Sequence, residues 1–218
     1  MSLTQTHHVF AGVAESGINT FLKALFTARP HYLNYGSPLF VPASTVNATN
    51  IAAIPFPGVP GGIQYAVSFS IPVVDLFPPN AGTLSPIPPG NNQLGLHTTV
   101  TLVLGCMTWS GRVTGAEGHG QTRPIVCKLD VWALGEIVPH YFGPGTGFIT
   151  FQVDDVRIPA IKPDCLQNII DCLIRMMLNG ALSNVQLPFN ALSAGAFKLI
   201  LEQGPQIDND MVEVWGSI

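Results

Sequence analysis

Charged side chains are scarce in this 218-residue sequence: Asp, Glu, Lys and Arg together make up 10%, against about 25% in an ordinary soluble domain. The nine Lys and Arg residues are scattered, and phosphate recognition needs clustered positive charge, so a nucleic-acid partner is excluded. Attraction to anionic lipid headgroups is excluded on the same ground. Long apolar runs are missing too. None reaches the roughly 18 residues a membrane-crossing helix requires, so no integral membrane segment is expected. The opening MSLTQTHHVF has no basic stretch followed by a short apolar block, and so no signal peptide is read; the default compartment is the cytoplasm, with export by a non-classical route as the other option. None of the four cysteines belongs to a CxxC pair, and reduced, buried thiols are the default reading.

Catalytic signatures are also lacking. No serine sits in a G-x-S-x-G elbow, and none of the six histidines falls in an H-E-x-x-H spacing, so neither an esterase nor a zinc peptidase is supported. The acid pairs Asp154-Asp155 and Asp208/Asp210 lack the glycine and distal Glu of a calcium loop, and read as turn and solvent-face acids. GPGTG at 143–147 has no following Lys-Ser/Thr and reads as a hairpin turn rather than a phosphate cradle. No catalytic residue, metal site or cofactor is expected, and the chain is read as a non-enzyme.

What is present is apolar surface. Mean hydropathy is +0.35, and a chain so poor in charge must place that surface in a core, an interface or a ligand site. One domain over 1–218 is expected. Apolar or small pairs recur every four residues from Val9/Phe10 to Leu25/Phe26, which predicts a long helix over Thr4–Ala28, stopped at Arg29-Pro30. PFPGVPGG at 55–62 is turn-forming, and FPPNAGTLSPIPPGNN at 77–92 reads as a proline-rich loop. Ile63 to Val74 alternates, with Tyr65, Val67 and Phe69 on one face and Gln64, Ala66 and Ser68 on the other, as a half-buried strand does. Leu94–Met107 alternates likewise. Strands follow at about 123–138 and 147–158, separated by turns rather than crossover helices, which predicts an antiparallel meander. A second, nearly all-round apolar helix starts at Pro163. Short strands at Gln186–Phe189, Phe197–Glu202 and Met211–Ile218 close the chain.

This order, with FQVDDVRIPAIKPDCLQNIIDCLIRMMLNGALSNVQLPF and LILEQGPQIDNDMVEVWGSI at its end, resembles the tubular lipid-binding (TULIP) superfamily, whose members are similar to bactericidal/permeability-increasing protein. The resemblance covers most of the chain in pattern and about a quarter of it in specific residues. It implies an α+β fold, with long helices packed against a strongly curved antiparallel β-sheet and an apolar ligand held along the seam. Some members carry a disulfide between a strand and the late helix, for which Cys127 with Cys165 or Cys172 would be the counterparts here.

The candidate ligand-binding residues are therefore Val13, Phe21, Leu25, Tyr65, Val67, Phe69, Val100, Leu102, Ile170 and Met177. Periodicity alone leaves open whether they line a pocket or fill a core. Two functional expectations follow. One is carriage of lipid or another apolar small molecule. The other is a structural or assembly subunit, of the kind found in toxin-accessory complexes, that buries the seam against a protein partner or a second copy. Fold does not choose between them.

Overall fold

The computed structural model describes residues 8–42, 44–59, 61–76, 93–109, 119–121, 124–143, 146–158, 164–188, 200–208 and 210–217. The loop expected at 77–92, the helix start at Pro163 and the side chains of Cys106 and Cys165 lie outside them. The fold is α+β with a curved sheet, mostly strand, and the expected long helices are not borne out: among the described residues the α-helices cover 14 and 19 residues. Among the described residues no helix is long and apolar enough to cross a membrane. The chain divides into two compact units, residues 1–22, 73–97 and 131–218, and residues 23–72 and 98–130.

The first unit begins with a correction. Val9–Ala14, expected within a helix, forms strand β1, and helix α1 covers only Glu15–Ala28, with its first eight residues in this unit. A spacing of four fits both periods: it is about one turn of a helix and two full repeats of a strand's two-residue alternation. Pairing decides. β1 runs antiparallel to Met211–Ser217 in unbroken register from Val9↔Gly216 to Ala14↔Met211, and Phe10 packs on Trp215 with ring centroids 5.8 Å apart. The helix starts where an acid favours it, at Glu15 in the first turn.

Numbered in chain order, the remaining strands are β2 (Asn34–Gly36), β3 (Thr49–Asn50), β4 (Ile63–Phe69), β5 (Val73–Asp75), β6 (Gln93–Trp109), β7 (His119–Gln121), β8 (Ile125–Gly143), β9 (Thr146–Arg157), β10 (Leu187–Pro188), β11 (Ile200–Asp208) and β12 (Met211–Ser217). The second helix, α2, covers Asp164–Leu182. In the first unit β1, β12 and β11 form one sheet. A second sheet follows the order β10-β9-β8-β6, with β5 on the first part of β6. A bulge falls between Leu134 and Gly135 of β8, and Asp154 is the extra residue opposite it on β9. Such bulges sharpen local twist. The acids Asp154 and Asp155 thus lie within a strand, not in a turn.

The second unit contains the order β6-β4-β2-β3, with β7 on the far end of β6. Its β2–β3 pair is parallel, so the sheet is mixed rather than wholly antiparallel. β4 and β6 pair from Ile63↔Cys106 to Phe69↔Val100, and the alternation buries Tyr65, Val67, Phe69, Val100 and Leu102 as expected of one face. Gln64 departs from its expected polar face: it is buried, with its amide donating to the Gly61 carbonyl at 2.7 Å. Such a partner makes the burial of an amide tolerable.

Candidate functional site

In the first unit a cavity of about 210 Å³ lies between the two sheets and α1. Each wall follows from local structure. In β1 and β12, alternate residues share a face, and the cross-strand pairs Ala11↔Val214 and Val13↔Val212 turn theirs inward. From the other sheet come the pairs Ile137↔Phe151 and Ile149↔Leu187, with Pro188 beside them. Gly17, Ile18 and Phe21, adjacent on one helical face, close the third side.

All twelve lining residues are Gly, Ala, Val, Leu, Ile, Phe or Pro. No lining side chain donates or accepts a hydrogen bond, so water has too few partners to settle there. Ile18, Ile137, Ile149, Phe151, Val212 and Val214 are buried, whereas Phe21 is 40% exposed and marks the open end. The space is not forced by crowding elsewhere. A methyl group added at Gly17 would meet only Val13 Cγ1, at an ordinary 3.7 Å.

Of the ten residues expected along a seam, Val13 and Phe21 meet at this cavity. Tyr65, Val67, Phe69, Val100 and Leu102 are buried in the second unit, and Leu25 is half-buried there. Ile170 and Met177 are carried by α2, half-buried and buried respectively. Sequence reasoning did not single out Ile137, Ile149, Phe151, Leu187, Val212 and Val214, although the alternation of their strands carried the signal. Cys127 and Cys172 both have free thiols, so no bridge joins them to each other or to Cys165.

A second, polar cavity of about 210 Å³ in the same unit is lined by Asp155, Val156, Asp171, Cys172 and Arg175. Asp171 Oδ1 and Asp154 Oδ2 are buried without a hydrogen-bond partner. Burial first, and then the neighbouring Asp155 carboxylate, push the Asp171 carboxyl above its ordinary range, with Arg157 pulling the other way. Arg157 Nε already donates to Asp155 Oδ2 at 3.1 Å, and Arg175 donates to the Asp154 carbonyl at 3.2 Å. No group of three or more His, Cys, Asp or Glu side chains placed to hold a metal occurs among the described residues. No known protein-family model matches the chain, and neither does any curated protein.

Proposed function

We propose that this protein binds an apolar small molecule, in particular the acyl chain of a lipid, in the cavity of its first unit, without catalysing a reaction. The observation that carries the reading is a cavity of about 210 Å³ with no polar group in its lining side chains. A smaller apolar cavity, about 150 Å³ in an engineered case, stays dry and takes up benzene, while sites for drug-sized ligands start near 300 Å³. The occupant is accordingly a small apolar molecule, a short chain or an aromatic of a few rings, or the end of a longer chain, with any excess length leaving past Phe21. Each methylene buried contributes about 0.8 kcal/mol, and selectivity rests on length and width rather than on headgroup contacts. The resemblance to the tubular lipid-binding superfamily supports the same reading, as does a curved sheet accompanied by helices.

The test uses delipidated protein and N-phenyl-1-naphthylamine, a neutral probe that brightens in apolar surroundings. Saturable brightening at one probe per chain, reversed by 1-octanol, is expected. Absent or non-saturable brightening, with no lipid seen in the native mass spectrum of the purified protein, defeats the reading.

A further inference from the structure

The β8–β9 hairpin ends in an unusual run. From Ile137 to Thr150 the sequence IVPHYFGPGTGFIT contains no Asp, Glu, Lys or Arg. The register places its residues on two faces. Ile137↔Phe151, Pro139↔Ile149 and Tyr141↔Gly147 follow one another on the face that begins in the apolar cavity. On the other face, His140 stacks on Phe148 with centroids 4.7 Å apart, and Phe142 packs on Phe148 at 5.4 Å. Phe142 is the extra residue of a bulge between Tyr141 and Gly143, and such residues re-aim a side chain outward. It is 74% exposed, and Tyr141 is 54% exposed.

Resting on the carrier reading above, we propose that this aromatic hairpin end is a membrane-docking element that seats in the headgroup region of a neutral, zwitterionic phospholipid bilayer, so that the cavity loads from the bilayer. Three features select that partner. First, exposed aromatic side chains stand on both faces at the ribbon's tip, Tyr141 on one and Phe142 on the other, beyond the His140–Thr150 hydrogen bond. A protein partner covers one face of a ribbon, whereas a bilayer interface surrounds both. Second, the segment has no cation and the chain carries a net charge of −4, so nothing in it favours anionic headgroups. Aromatic rings instead suit the interface of any bilayer, with an apolar body and, for Tyr141, a polar tip. Third, the end is continuous with the ligand site: Phe148 pairs with Pro188, a lining residue of the cavity.

The experiment is flotation of the full chain with phosphatidylcholine vesicles, alongside the vesicle-free N-phenyl-1-naphthylamine titration. Wild type is expected to float with the vesicles, to the same degree in low and high salt, and F142S to lose at least about tenfold in partitioning. F142S should still take up the soluble probe, because Phe142 does not line the cavity. F142W should float as well as wild type, with a blue-shifted emission on vesicle addition. Wild type that stays in solution, floats only with anionic vesicles, or floats equally well as F142S overturns the docking proposal, even where probe uptake stands. So does an F142S variant that changes only the oligomeric state. Failure of probe uptake by wild type, with flotation intact, defeats the carrier reading instead.

Discussion

The side-chain amide of Asn19 holds both backbone groups of Val74: its Nδ2 donates to the Val74 carbonyl at 2.8 Å, and its Oδ1 accepts from the Val74 amide at 2.8 Å. Asn179 of α2 does the same to Val153 of β9, at 3.0 and 2.7 Å. In each case a helix offers a strand the donor–acceptor pair that a neighbouring strand would supply. β10 reaches only Phe148 and Ile149 of β9, and further along the Asn179 amide takes over. The arrangement covers an edge that would otherwise be open to pairing with another chain, and fixes each helix at one height along its sheet.

Asn19→Ala and Asn179→Ala are each expected to lower stability by about 2 kcal/mol, from two lost hydrogen bonds and two backbone groups left half-buried without partners. Urea unfolding measures this. A loss under about 0.5 kcal/mol for both would mean that water replaces the amide at no cost.

Filling the cavity separates a ligand site from packing slack. Ala11 lines it opposite Val214. In Ala11→Phe the ring occupies the space, and uptake of N-phenyl-1-naphthylamine should fall at least about tenfold, equivalent to about 1.4 kcal/mol. Stability should hold or rise. Ile149→Ala enlarges the same space, and should cost about 2–5 kcal/mol while leaving uptake in place. A loss of uptake that simply tracks stability across the pair would count against a binding role.

The turn at 55–62 offers a sharper test of backbone strain. Gly58 and Gly62 both have left-handed φ, +80° and +70°. A methyl group at Gly58 meets nothing within 4 Å, whereas at Gly62 it runs into the Ile54 carbonyl oxygen. That oxygen is fixed, since it accepts from the Ile63 amide at 2.8 Å. Gly58→Ala should cost about 1 kcal/mol for the left-handed backbone alone. Gly62→Ala should cost at least about 1 kcal/mol more, because the clash is with backbone. Equal shifts in the urea midpoint would contradict this.

Strands were more legible in the sequence than helices, for a physical reason. The alternation through Tyr65, Val67 and Phe69 fits only a period of two, and it reappears as β4. The four-residue spacing from Val9 to Val13 fits two periods, and long-range pairing with Met211–Gly216 chose the strand. Val13 and Phe21 were found because that spacing survives the change from strand to helix. Ile137, Ile149 and Phe151 were not, since alternation tells which residues share a face but not which sheet that face meets. The two asparagines carried no signal, because an Asn that docks a helix looks in sequence like any other polar position.

Asp171 is the residue whose titration should register in stability. Its carboxyl faces Asp155 and Arg157 from β9 and shares its cavity with Arg175 of its own helix. Burial and the Asp155 charge raise its folded pKa above the unfolded value, so folding favours the protonated form. The stabilisation is complete below the ordinary carboxylate range and is lost as pH rises through the folded pKa. Asp171→Asn should therefore raise the urea midpoint at about pH 7 and change it little at about pH 3.5. The gain is held below about 1 kcal/mol by solvent screening of a half-exposed group. The comparison is made within each pH, so that the other carboxylates cancel. A variant less stable than wild type at neutral pH would show that the carboxylate is held by the two arginines more strongly than burial and Asp155 oppose it.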